Sequence, residues 1–168
     1  MSGLHPVPLT AEAFLPFGEV LDTENARRVR DINQNMARRF DMPADISTDG
    51  GGVGISMFRA VPCSRPLNIN MLECHPRGSQ AFLSARSCAW LVVVAPGGDE
   101  PQVENLKCFL ADGGQGVNYR PGTWHHPLLV LEGGHDFWVV DRTPPAGESA
   151  DANLREYWFS QSIVINID

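Results

Sequence analysis

Eight short runs rich in β-branched and aromatic residues, set apart by turns, constrain this chain more than any other feature: GVGISMFRA (52–60), PLNINMLEC (66–74), QAFLS (80–84), CAWLVVVAP (88–96), NLKCFLA (105–111), HHPLLVLE (125–132), HDFWVVDR (135–142) and YWFSQSIVINI (157–167). Their lengths and separations are those of consecutive antiparallel strands. Sixteen glycines and thirteen prolines in 168 residues supply the turns between them. No segment repeats a helical apolar period over three turns. Only AEAFLPF, after a Thr10 cap and stopped at Gly18, and ENARRVRDI (24–32) read as short helices. The expectation is an all-β barrel or sandwich with short N-terminal helices. DRTPPAGES (141–149) interrupts the runs, but the strand-like tail after it reads as returning to the same sheet, so residues 1–168 are taken as a single barrel domain.

Charge and composition exclude several partners. Thirteen Lys and Arg against twenty Asp and Glu give a net charge of −7, with no basic run, which argues against nucleic acid. No stretch approaches the ~20 apolar residues of a membrane span, and MSGLHPVPLTAEAF lacks a basic region followed by an apolar one, so no membrane association and a cytoplasmic location are expected. Cys63, Cys74, Cys88 and Cys108 form no C-x-x-C pair and read as reduced thiols.

Side chains i and i+2 of a strand share a face, so in LECHPRGSQ (72–80) Glu73 and His75 point one way while Leu72 and Cys74 point the other. A turn at residues 76–79 lets Gln80 open the next strand beside them. By the same alternation His125 and His126 point oppositely, one to the cavity and one to packing or an interface. Arg59, before the Pro62 turn, offers a planar fork of donors for a carboxylate. Tyr119 reads as a core phenol or a substrate contact, and Asp141 as a substrate contact or the partner of Arg142. His5 and His135 have no motif around them and read as surface residues, while Trp90, Trp124, Trp138 and Trp158 read as filling the barrel or a dimer face.

The pattern Glu73-x-His75-x4-Gln80, with Pro121-Gly122-x2-His125 beginning about 40 residues later, resembles the two-part signature of the cupin superfamily. That resemblance implies a double-stranded β-helix barrel, and it places Glu73, His75, Gln80 and His125 where cupins carry their metal ligands. Imidazole and carboxylate suit a divalent ion without selecting one. NMLECHPRGSQAF (70–82), WLVVVA (90–95), GQGVNYRPGTWHHPLLV (114–130) and DFWVVDR (136–142) more closely resemble the ureidoglycolate lyase family of allantoin catabolism, from about Pro6 to Arg142. Departures are Cys74, where arginine is usual, and INQNMARRFD (32–41).

This resemblance implies a homodimeric enzyme, with no cofactor expected, that releases urea and glyoxylate from (S)-ureidoglycolate. Glu73, His75 and His125 would carry proton transfer, and Arg59, Gln80, Tyr119, His126 and Asp141 would hold the substrate. Two rival readings remain open on the sequence. One is a metal-dependent cupin enzyme, a dioxygenase or isomerase; the other is a non-catalytic cupin that binds a small ligand.

Overall fold

In a computed structural model, residues 3–167 are described. In chain order the elements are β1 (Val7–Pro8), α1 (Ala11–Phe14), β2 (Gly18–Leu21), β3 (Arg28–Ile32), β4 (Ala37–Asp41), β5 (Gly52–Ala60), β6 (Asn68–Cys74), β7 (Gln80–Ser84), β8 (Trp90–Ala95), β9 (Lys107–Ala111), β10 (Gly116–Tyr119), β11 (Trp124–His125), β12 (Leu129–Val130), β13 (His135–Thr143) and β14 (Arg155–Val164). One sheet runs β1-β9-β8-β11-β6-β14, with β12 also paired to β8. The facing sheet runs β2-β10-β7-β13-β5. Apart from the parallel β1–β9 pair, the ladders within these sheets are antiparallel, the arrangement of a cupin-type sandwich or barrel.

Seven of the eight runs form one strand each, and β5 and β7 occupy the expected residues without change. The eighth, 125–132, divides into β11 and β12, both on β8. The tail returns as β14 on β6. Of the short helices, AEAFLPF contains α1, whose first turn Thr10 caps by accepting from Ala13 N at 3.2 Å. The second expectation is corrected, because ENARRVRDI runs into β3 and pairs with β4 as a hairpin. Asn33, Gln34 and Asn35 all take positive φ, a left-handed turn that asparagine tolerates and that reverses the chain where a helix would continue.

Burial explains why β8 is apolar throughout. Trp90, Val92 and Val94 join the core between the sheets, while Leu91, Val93 and Ala95 join a second core on the outer side of the same sheet. The second core is covered by chain ends and by Tyr157, Phe159 and Ile163 of β14. The second core packs Ile69, Leu72 and Cys74 of β6 with Trp124 of β11, and the register of the two strands sets His125 opposite Glu73. Among the described residues no helix is long and apolar enough to cross a membrane.

Candidate active site

Glu73 sits near the end of β6 and His75 follows two residues later on the same face, as strand alternation requires. His125 arrives on β11, directly across the ladder from Glu73. The turn before it holds Gly122 at φ 80°, a left-handed conformation suited to glycine, and its N–H donates to His75 O at 2.9 Å. That bond ties the two halves of the site together. Glu73 Oε1 lies 3.5 Å from His125 Nε2 and 3.9 Å from His75 Nε2, and one ligating atom from each residue falls within 4.8 Å of the others.

Backbone carbonyls decide the imidazole tautomers. A carbonyl only accepts, so His75 Nδ1–H donates to Asn153 O at 2.8 Å and His125 Nδ1–H donates to Thr123 O at 3.0 Å. A neutral ring then keeps its lone pair on Nε2. Both Nε2 atoms are buried with no hydrogen-bond partner, and both face the Glu73 carboxylate. At 3.5 Å, with the His125 proton committed to Thr123, the neutral ring offers Glu73 no N–H, so the contact turns attractive only when a proton or a cation sits between them. Burial raises the Glu73 carboxyl, but His125, followed by His75 and His126, outweighs it and leaves the acid below its ordinary range. Burial, reinforced by His125, pushes the His75 imidazole down and favours the neutral ring.

The facing sheet completes the walls. Tyr119 stacks on His125 with ring centroids 4.1 Å apart and planes 10° from parallel. Its phenol is driven upward by burial and by Glu73, so it stays protonated. Gln80 lies between Tyr119 and Asp141 in the sheet register, donates from Nε2 to Asp141 Oδ2 at 3.4 Å, and leaves its buried Oε1 without a partner. A cavity of about 170 Å³ opens beside His75, lined also by Ser79, Asp141, Arg142 and Asn153.

The structure therefore groups Glu73, His75 and His125 and sets Tyr119, Gln80 and Asp141 around them. His126 follows β11, half-buried, with Nδ1–H donating to Pro127 O at 2.8 Å; burial lowers its imidazole, against the pull of the Pro127 carbonyl and of Glu73. Arg59 is not brought to this cluster. Its guanidinium, 78% exposed, pairs with Asp136 at 2.9 Å, five residues and roughly 16 Å along β13 from Asp141. The arginine at the cavity is Arg142, whose side chain is buried and engaged by Glu148 at 2.6 Å.

His135 is also corrected: it is 1% exposed, since β13 turns it inward against Phe137 and its Nε2 meets Ser84 Oγ at 2.7 Å. Trp90 and Trp124 fill the cores, whereas Trp138 and Trp158 are exposed. Asn153, Thr123 and Glu148 carry no sequence signal, because what they hold lies in other strands or at carbonyls.

The chain is similar to known proteins over nearly its whole length. A family model described as ureidoglycolate lyase matches residues 1–166. Curated ureidoglycolate lyases from Pseudomonas savastanoi pv. phaseolicola and Azotobacter vinelandii are each 44% identical, over 96% and 92% of this chain and 92% and 90% of their own. One from Burkholderia mallei is 39% identical over 99% of both chains. With a whole-length family match and relatives at this identity, the chain belongs to the ureidoglycolate lyase family.

Proposed function

We infer that this protein is a ureidoglycolate lyase that releases urea and glyoxylate from (S)-ureidoglycolate in allantoin catabolism. The observation that carries the reading is the convergence of Glu73, His75 and His125 beneath Tyr119, in a chain of this family. Ureidoglycolate is a hemiaminal whose central carbon bears a hydroxyl, a carboxylate and a urea nitrogen. Lysis removes the hydroxyl proton, closes the C=O bond, breaks the C–N bond and returns a proton to the leaving nitrogen.

His75 Nε2 carries a free lone pair on the Glu73 side of the ring and accepts the hydroxyl proton, then delivers it to the urea nitrogen. Glu73 stabilises the imidazolium formed between the two transfers. His125 Nε2 lies across the carboxylate from His75 and is a second acceptor for the travelling proton, and a positioned proton-transfer group contributes ~10²–10⁴-fold. Gln80 Oε1 and Asp141 accept from the ureido N–H groups, and the Tyr119 hydroxyl donates to the substrate carboxylate.

A second reading rests on the same atoms. Two buried Nε2 lone pairs beside one carboxylate, each imidazole held by a carbonyl at Nδ1, are the donor set of a divalent-cation site, with Gln80 Oε1 as a fourth ligand. An ion held there would supply Lewis acidity toward the substrate's oxygens. Metal analysis of the purified protein, with urea release measured before and after chelation, separates the readings. Activity that survives chelation in metal-free protein assigns proton transfer to the side chains alone, and absence of urea release under both conditions ends the lyase reading.

On the same reading the enzyme is a cytoplasmic homodimer. Strand β5 is a sheet edge of nine residues that exposes Val53, Ile55 and Met57 beside Trp138 of β13, an edge of the kind that a second copy covers. Light scattering at micromolar concentration should return twice the 18.4 kDa chain mass; a monomer rejects it.

A further inference from the structure

His75 lies just beyond β6, so no sheet ladder holds its ring. Its orientation depends instead on the loop between β13 and β14. Glu148 pins that loop to the barrel by accepting from Arg142 Nη1 at 2.6 Å and Nη2 at 3.0 Å, and from Arg77 Nη1 at 2.6 Å. Ser149 then caps a single 3₁₀ turn, Ala150–Asn153, and Asn153 closes back onto the barrel through two bonds. Its Oδ1 accepts from the Arg77 backbone N–H at 2.7 Å, and its carbonyl accepts from His75 Nδ1–H at 2.8 Å. One residue thereby grips the backbone two positions beyond His75 and the ring of His75 together.

We propose that Asn153 is a positioning residue for the reaction: its amide anchors the loop on Arg77 so that its carbonyl holds His75 in the Nδ1–H tautomer, with Nε2 unprotonated and turned to Glu73. This rests on His75 acting through Nε2, which proton acceptance and cation binding both require. Without the anchor the ring is free to carry its proton on Nε2, where it blocks either role. Asn153 is half-buried in a surface loop, and its side chain can be removed without opening either core.

The test uses the full-length protein. In substrate-free samples near pH 7.5, ¹⁵N shifts of the His75 ring report the tautomer directly. The wild type should show protonated Nδ1 alone, Asn153→Ala a mixture containing protonated Nε2, and Asn153→Asp, which keeps an acceptor for Arg77 N–H, the wild-type pattern. In urea release, Asn153→Ala should lose roughly tenfold to a hundredfold in kcat/KM, with Asn153→Asp restoring most of it. Wild-type ring shifts in a folded Asn153→Ala protein overturn the proposal. A tautomer shift in Asn153→Ala, in a protein whose wild type releases no urea, upholds the positioning role and rejects the lyase reading.

Discussion

His125 and His135 look alike one at a time. Each is 1% exposed, each stacks on an aromatic ring, with centroids 4.1 Å apart at Tyr119 and 4.3 Å at Phe137, and each leaves one buried ring nitrogen without a partner. They differ in what the free nitrogen meets. His125 Nε2 faces a carboxylate at 3.5 Å with a second imidazole behind it, whereas the bonded nitrogen of His135 meets Ser84 Oγ, whose own proton goes to Arg86 O at 2.5 Å. Because Ser84 donates to that carbonyl, His135 must donate to Ser84, and the serine is not activated as a nucleophile. Burial and an unpartnered nitrogen therefore do not make a reactive histidine; convergence with a charge does.

The largest expected effects follow from that contrast. His75→Ala and Glu73→Gln should each lower kcat/KM for urea release roughly tenfold to a thousandfold with circular dichroism unchanged. His125→Ala belongs with them, since it removes the Glu73 contact on the other side. A folded His75→Ala enzyme with full kcat/KM would remove His75 from the mechanism. His135→Ala should do the opposite, leaving kcat/KM within about twofold and costing roughly 1–3 kcal/mol of stability in urea denaturation, through lost packing on Phe137 and a serine left without its donor.

The pH dependence is a smaller effect with a definite sign. Burial, then Arg86, lowers the His135 imidazole, so the folded state resists protonation that the unfolded chain accepts near pH 6.5. The protein should be at full stability above about pH 6.5 and lose it as pH falls toward the depressed folded value. His75 and His126 shift in the same direction. His135→Gln, which keeps a donor for Ser84, should flatten part of this slope in denaturation curves run from pH 7.5 to 5.5; an unchanged slope would show that His135 contributes nothing to it. The smallest effect belongs to Arg59. Its exposed pair with Asp136 lies outside the site, so Arg59→Ala should leave KM within about twofold, and a several-fold rise would return Arg59 to substrate binding.

Much of the site was legible because its signals are local. Glu73 and His75 share a face through strand alternation alone, and the Pro121-Gly122 turn marks where His125 enters. The helix expected over 24–32 failed because its apolar residues, Val29 and Ile32, serve a three-residue spacing and an exposed hairpin equally well, and the left-handed turn at 33–35 settled the choice. Arg59 carried no information about which end of β5 reaches the cavity. His135, at the start of its run with no motif around it, read as a surface residue, and β13 turned its side chain inward.

The sequence by itself determined the eight apolar runs that form strands, the shared face of Glu73 and His75, and the family, since these depend on alternation, turn residues and motif spacing within short stretches. The tertiary structure alone decided that His125 stands across from Glu73, that the Thr123 and Asn153 carbonyls leave both Nε2 atoms unprotonated, and that Arg142 rather than Arg59 lines the cavity. The physical reason is that strand register and facing are set by burying two cores at once, a sum over residues far apart in the chain that no short window contains.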